Sequence, residues 1–134
     1  MTVDEAETRT VVRELYDAFG SGDLERMSGL MADDVVVTFL AQGTFRGLPA
    51  FERFLAFSDG LLEDLDWRLD VLVVDGEVAC GIWEETARTA DGHPWHSTGV
   101  DVIRVRGGRV VSLTMNNDAA LSRRHFPPYV DSGP

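Results

Sequence analysis

Residues 66–117 read DWRLDVLVVDGEVACGIWEETARTADGHPWHSTGVDVIRVRGGRVVSLTMNN. Apolar and polar side chains alternate along this stretch with a period of two, which is typical of β-strands. The pairs Asp75-Gly76, Asp91-Gly92 and Gly107-Gly108 interrupt the alternation, and such pairs supply the positive φ angles that tight hairpin turns require. The stretch therefore predicts four successive strands, at roughly 67–74, 78–89, 95–106 and 109–117.

The chain before this stretch is predicted to be mostly helical. Apolar residues recur at helical spacing from about Asp4 to Phe19, and Asp23 is placed to cap a second, short helix. Pro49 suits the first turn of a third helix. Between the second and third helices, the β-branched run at 35–40 predicts one buried strand, and residues 43–47 are predicted to form a loop.

Helices followed by a meander of long strands predict an α+β fold. We expect a strongly curved antiparallel sheet wrapped around the three helices of the N-terminal half, which leaves a cone-shaped pocket. Residues 1–124 are predicted to form this single domain, and residues 125–134 an extended C-terminal tail.

Composition excludes several classes of function. The chain has 134 residues and a net charge of −11, and such a charge disfavours nucleic acid as a partner because phosphates would be repelled. All 12 basic side chains are arginine, so chemistry that needs a lysine is excluded. The first residues, Met1-Thr2-Val3-Asp4-Glu5, do not predict a signal peptide, and no apolar run reaches the roughly 20 residues that cross a membrane. A cytoplasmic protein that acts on a small molecule is the default expectation.

Six motifs carry a resemblance to a known family. They are Tyr16-Asp17-Ala18-Phe19, Gly22-Asp23-Leu24, Met31-Ala32-Asp33-Asp34-Val35, Phe45-Arg46-Gly47, Gly99-Val100-Asp101-Val102-Ile103-Arg104-Val105 and Gly108-Arg109-Val110-Val111. Through them the chain, from about residue 8 to residue 120, resembles the nuclear transport factor two-like superfamily and specifically its SnoaL-like branch. The resemblance implies the cone fold. It leaves function open, since the superfamily includes isomerases, cyclases, hydrolases, dehydratases and noncatalytic modules.

Ketosteroid isomerases of this superfamily are matched only in part. Their general-base aspartate corresponds to Phe39, and an apolar ring cannot move a proton, which argues against that reaction. Their protonated oxyanion-hole aspartate corresponds to Asp101. Their oxyanion tyrosine corresponds to Leu15, with Tyr16 one residue away.

Two further branches give weaker matches. In epoxide hydrolase-like members, an Asp-Arg-Asp set corresponds to Glu84, Ile82 and Met115 here, so most of the water-activating set is missing. SnoaL-like polyketide cyclases use an aspartate with a neighbouring histidine, for which Asp101, His96 and Asp118 are the candidate counterparts. The resemblance thus implies cofactor-free acid/base chemistry on a hydrophobic, polyketide-like molecule.

Asp101 is the first candidate for catalysis. Strand alternation puts Asp101 and Ile103 on one face and Arg104 and Arg106 on the other, so Asp101 is expected to face the interior. Burial would raise its pKa towards neutrality and allow it to exchange protons. The alternative is a buried aspartate that hydrogen-bonds for structural reasons alone.

Glu84 and His96 are the other candidate catalytic residues. A hairpin turn near Asp91-Gly92 would bring Glu84 close to Asp101, whereas a register shifted by one residue would turn Glu84 to solvent and bring Glu85 inward. His96 is a candidate acid or base at the mouth of the cone, and the alternative is a solvated histidine. No metal site is predicted, because His93 and His96 lack a third ligand of matching geometry.

Six residues are expected to bind the substrate within the cone. They are Tyr16, Phe39, Phe54, Ile82, Met115 and Asn117. Trp83 is expected on the outer face of the sheet, where it would contribute to a homodimer interface. An acid/base enzyme is the leading hypothesis, and a noncatalytic ligand-binding or dimerisation module of the same fold is the alternative.

Overall fold

The computed structural model describes residues 5–127 and 129–130 of the chain. Its helices are α1 (Glu5–Gly20), α2 (Leu24–Gly29), α3 (Leu48–Ser58) and α4 (Ala119–His125). Its strands are β1 (Met31–Phe39), β2 (Gly43–Arg46), β3 (Leu62–Asp75), β4 (Val78–Thr89), β5 (Pro94–Arg106) and β6 (Arg109–Asn117). The predicted helix start at Asp4 and the tail residues 131–134 lie outside the described part of the chain.

The strands form one curved, unclosed sheet in the order β2-β1-β6-β5-β4-β3. The α+β prediction is therefore confirmed. All neighbouring strands are antiparallel except β1 and β6, which run parallel. This parallel pair was not predicted, because it joins strands that are far apart in the sequence. The described residues contain no helix that is both long and apolar enough to cross a membrane.

Two elements differ from the sequence predictions. Residues 43–46 form β2 and not a loop, because Gly43 adopts a φ of 117° and Phe45 pairs with Val37 while its ring is buried. Residues 119–125 form α4, whose N-cap Asp118 accepts a hydrogen bond from the backbone N–H of Leu121. Both elements are too short for periodicity to indicate them.

The core lies between the inner face of the sheet and the helices. α1 buries Val11, Val12, Leu15 and Tyr16 of the apolar stripe that its spacing predicted, and it also buries Ala18. On β5, inward and outward residues alternate from Pro94 to Arg106 without interruption. Within the predicted tail, Tyr129 packs its ring against those of Phe45, Phe54 and Phe57.

Candidate active site

Asp101 lies on the inner face of the sheet, as predicted, and is 4% exposed. It belongs to β5, where its neighbours across the sheet are Gly81 on β4 and Met115 on β6. The hydroxyl group of Tyr16, on α1, donates a hydrogen bond of 2.8 Å to Oδ2 of Asp101. This contact joins the helix to the centre of the sheet within the core.

Burial controls the protonation of this pair. It raises the pKa of Asp101 to about 6, and the indole group of Trp83 and the hydroxyl group of Tyr16 oppose part of that rise. The pKa of Tyr16 is also raised, first by burial and then by the negative charge of Asp101. Tyr16 therefore keeps its proton and remains a donor, while Asp101 gains or loses its proton near neutral pH.

Two glycines allow aromatic side chains to approach the acid. A Cβ atom at Gly81 would lie 2.2 Å from the hydroxyl oxygen of Tyr16, and one at Gly99 would lie 2.2 Å from Cζ2 of Trp83. Both side chains therefore lie directly on the backbone of the sheet beside Asp101. Any other residue at either position would displace them.

The cavity next to Asp101 has a volume of about 30 Å³, which is enough for one water molecule. Tyr16, Trp67, Trp83 and Asp101 line one part of it. The rest of its wall is apolar, from Leu15, Phe19, Met27, Leu113 and Met115. The expected wide cone is therefore mostly filled by side chains, and a larger molecule needs some of them to move.

A second buried acid, Glu85, lies on the inner face of β4 and is 6% exposed. The indole N–H of Trp95 donates a hydrogen bond of 3.0 Å to its Oε1 atom. Burial raises the pKa of Glu85, the hydrogen bond from Trp95 opposes that rise, and the charge of Asp101 adds to it. Of the two registers left open by the sequence, the structure has the one that brings Glu85 inward.

Glu84 was expected beside Asp101, and this placement is wrong. Its partner across the ladder is Thr98, whereas Asp101 pairs with Gly81, so the two acids lie on opposite faces of the sheet. Glu84 instead accepts one hydrogen bond from Arg68 and pairs with His96 at 3.2 Å on the outer face. His96 is consequently also outside the cone, away from Asp101.

Ile82 and Trp83 also lie on the faces opposite to those predicted, because they belong to the same strand as Glu84 and share its register. Ile82 is 39% exposed on the outer face, so its expected contact with a ligand in the cone is wrong. Trp83 was expected outside and is 7% exposed within the core. A single residue of register separates the two arrangements.

The remaining predicted substrate contacts lie in three places. Tyr16 and Met115 line the cavity beside Asp101. Phe39 and Phe54 pack against each other, with ring centroids 5.7 Å apart, in the aromatic cluster that also holds Tyr129. Asn117 lies near the end of β6, where its Nδ2 atom donates to Oγ of the buried Ser122. Their roles in substrate binding stay predictions.

A larger groove lies on the other side of Trp67. It has a volume of about 440 Å³ and runs between α1 and the edge strand β3, where the sheet does not close. Arg13, Asp17 and Leu69 line it, and it shares Tyr16 and Trp67 with the cavity beside Asp101. Its volume falls in the range of small-molecule sites. The two aromatic side chains therefore separate this groove from the acid.

Residues 5–127 and 129–130 hold no group of three or more His, Cys, Asp or Glu side chains placed to bind a metal ion. That the chemistry needs no metal or cofactor stays a prediction from the sequence.

Comparisons with known proteins agree with this geometry. The model of the SnoaL-like domain family matches residues 12–113. The chain is similar to an NTF2-like protein of unknown function from Burkholderia pseudomallei, with a TM-score of 0.81, 23% identity, and coverage of 89% of this chain and 96% of that one. No curated protein matches the sequence.

Two other solved structures carry names that include an activity. IdmH from Streptomyces antibioticus, a proposed polyketide cyclase, has a TM-score of 0.74 and 22% identity over 88% of this chain and 96% of its own. An LEH-like epoxide hydrolase from M. tuberculosis has a TM-score of 0.75 and 15% identity over 91% of this chain and 90% of its own. At such identities the likeness shows the fold alone.

Proposed function

The chain belongs to the SnoaL-like domain family, and we propose that it is an enzyme of cofactor-free acid/base chemistry. Its substrate is a hydrophobic, polyketide-like small molecule. The reaction is a cyclisation, isomerisation, dehydration or hydration that begins with a proton transfer at carbon or oxygen. The activities named for structural neighbours make an enzyme plausible.

The buried Asp101 is the observation that supports this proposal. Its pKa of about 6 lies close to neutral pH, so the carboxylate is both present and basic enough to take a proton. An ordinary aspartate, with a pKa near 3.9, would be a weak base at pH 7. Since Tyr16 holds Oδ2, the free oxygen Oδ1 is the atom that exchanges the proton.

Phe39 makes a steroid isomerase mechanism unfavourable. That mechanism needs a base on the first strand, and β1 presents the phenyl ring of Phe39 at that position. Asp101 must therefore act as the base itself. Glu85, the second buried acid on the inner face, is bonded to Trp95 and is not among the residues that line the cavity beside Asp101 or the groove.

The substrate reaches Asp101 from the groove between α1 and β3. The cavity of about 30 Å³ is too small for it, whereas the groove of about 440 Å³ is adjacent and shares Tyr16 and Trp67 with it. Rotation of the Trp67 side chain would connect the two spaces. The apolar part of the substrate would then lie among Phe19, Met27 and Met115.

Exchange of hydrogen for deuterium at carbon tests the proposal. NMR would follow a panel of aromatic and polyketide-like 1,3-dicarbonyl compounds in D₂O with the wild type, with Asp101→Asn and with the surface control Asp34→Asn. We expect Asp101→Asn to lower the protein-dependent exchange rate at least a hundredfold while Asp34→Asn leaves it unchanged. Equal rates for Asp101→Asn and the wild type would contradict the proposal.

A noncatalytic ligand-binding module is the second candidate. The phenyl ring of Phe39 on β1 favours it, because the position that corresponds to the isomerase base then carries no titratable group. In this case the compounds of the panel would bind without hydrogen–deuterium exchange at carbon, and Asp101→Asn would change their dissociation constants little.

A further inference from the structure

Two buried polar atoms, each on a side chain that lines the cavity beside Asp101, have no hydrogen-bond partner among the residues that the structure describes. They are Nε1 of Trp67, which can only donate, and Oδ1 of Asp101, which accepts when the carboxyl group is ionised. Both atoms are buried. Buried polar groups in folded proteins nearly always have a hydrogen-bond partner. We therefore expect that one bound molecule accepts from the donor and donates to the acceptor.

The side chains that carry these atoms are fixed by packing. The ring of Trp67 stacks on that of Tyr16, with centroids 5.0 Å apart and 21° between the planes, and its edge meets Phe19 at 5.5 Å. Tyr16 in turn holds Oδ2 of Asp101 at 2.8 Å, and the indole group of Trp83 lies near the same carboxyl group without making a hydrogen bond of regular geometry to Oδ1. In the free protein, before a substrate turns the Trp67 side chain, the donor and the acceptor therefore keep their positions without a ligand.

We propose that this cavity binds a single water molecule between Trp67 and Asp101. The water accepts a hydrogen bond from Nε1–H of Trp67 and donates one to Oδ1 of Asp101. The volume of about 30 Å³ admits one such molecule, and a water bound by two or more polar partners is a regular part of a protein interior. An apolar ligand would leave both atoms unpaired.

The water would narrow the proposed function to addition or removal of water. Its oxygen can attack the β-carbon of a conjugated carbonyl compound while its proton passes to Oδ1 of Asp101. The π electrons of the C=C bond then move towards the carbonyl group and form an enolate. The enolate takes the proton back from Asp101 at its α-carbon, so that one water has added across the double bond. The reverse sequence is a dehydration.

This inference depends on the proposed function only for that last step. The water site itself is a property of the free protein and is tested without a substrate. Water at the site without any carbon exchange would contradict the enzyme proposal alone. Exchange that depends on Asp101, without water at the site, would contradict this inference alone.

NMR of the free protein, labelled with ¹⁵N in its indole groups, provides the test. The chain has three tryptophans, whose Hε1 signals are assigned with Trp67→Phe, Trp83→Phe and Trp95→Phe. We expect a cross-relaxation peak between water and Hε1 of Trp67, with the sign of a water that stays for longer than about a nanosecond. Trp95 is the internal control, because its N–H is bonded to Glu85 at 3.0 Å and should show no such peak.

A crystal structure of the wild type and of Trp67→Phe gives a second measurement. We expect one ordered water within hydrogen-bond distance of both atoms in the wild type, and its loss or displacement in the variant. The inference is overturned if Hε1 of Trp67 shows no water peak. It is also overturned if the wild-type crystal shows the N–H of Trp83 bonded to Oδ1 in place of a water.

Discussion

The backbone of Gly81 lies directly beneath the hydroxyl group of Tyr16, since a Cβ atom there would come within 2.2 Å of the hydroxyl oxygen. Gly81 is also the partner of Asp101 across the β4–β5 ladder. The absence of a side chain at this position therefore creates the space in which the hydroxyl group meets the carboxylate. This glycine is needed for space and not for an unusual φ angle, because its backbone is that of a regular strand.

Gly81→Ala should therefore displace Tyr16 and break its hydrogen bond to Asp101. We expect a decrease of roughly 1–3 kcal/mol in the free energy of unfolding, the usual cost of overpacking a core. Urea denaturation measures it. Gly29→Ala is the matched control, because a Cβ atom there has no neighbour within 4 Å, and it should leave stability unchanged or slightly higher. Equal effects of the two substitutions would contradict the close contact.

Tyr16→Phe should raise the pKa of Asp101 above its value of about 6. The hydroxyl group donates to the carboxylate and so favours the ionised form, and its removal leaves burial to act with less opposition. Titration of the side-chain carboxyl carbon by ¹³C NMR measures the shift, and Tyr129→Phe makes the same chemical change outside the site. An unchanged or lower pKa in Tyr16→Phe would mean that the hydrogen bond does not stabilise the carboxylate.

Much of the fold could be predicted from local patterns. The hairpin pairs and the period-two alternation predicted the bounds of β4 and β6 and, within one residue, those of β5, whereas β3 begins five residues before its predicted start. The pairing of β1 with β6 could not be read in this way. It depends on contacts between residues such as Val37 and Leu113, which are distant in the sequence and carry no turn signal.

The candidate site could be predicted only in part, for a reason of register. On β5, Arg104 and Arg106 lie on the outer face, so the inward orientation of Asp101 follows from the alternation of residues along the strand. On β4, the run Trp83-Glu84-Glu85 puts an aromatic residue and two acids in succession, and neither face is distinctly apolar. The packing of Trp83 against Gly99 determines which face of β4 turns inward, because the space above that glycine accommodates the indole ring.

Asp101→Asn should change how stability depends on pH. The folded protein binds the Asp101 proton more tightly than the unfolded chain does, since its pKa is raised from 3.8 to about 6. Wild-type stability should therefore fall as pH rises from about 4 to about 6, by up to roughly 3 kcal/mol from this residue. Asparagine does not titrate, so the variant should gain stability relative to the wild type over that range.

Urea denaturation of both proteins at several pH values from 4 to 7 measures this difference. Glu85 also has a raised pKa and is present in both proteins, so its contribution cancels except for the part that the charge of Asp101 adds, which the variant loses. Parallel stability curves for the two proteins would show that Asp101 is not held in a low-dielectric environment.

The outer face of the sheet should bind a second copy of the chain. Two rows of apolar side chains cross β3, β4 and β5 there, one of Val71, Ile82 and Val100 and one of Val73, Cys80 and Val102. Val73 is 57% exposed and Val102 is 43% exposed, so the rows form a contiguous apolar patch, which is typical of an interface.

Val102→Asp should therefore shift the protein from dimer to monomer in sedimentation velocity, because a carboxylate in the centre of an apolar interface would lose its hydration without gaining a partner. Leu40→Asp is the control, since Leu40 is a similarly exposed apolar residue in the turn between β1 and β2. Trp83→Asp cannot serve here, since Trp83 lies in the core and its loss would unfold the protein. A wild type that sediments as a monomer at high concentration would contradict the dimer, and the same effect of both aspartates would contradict the location of its interface.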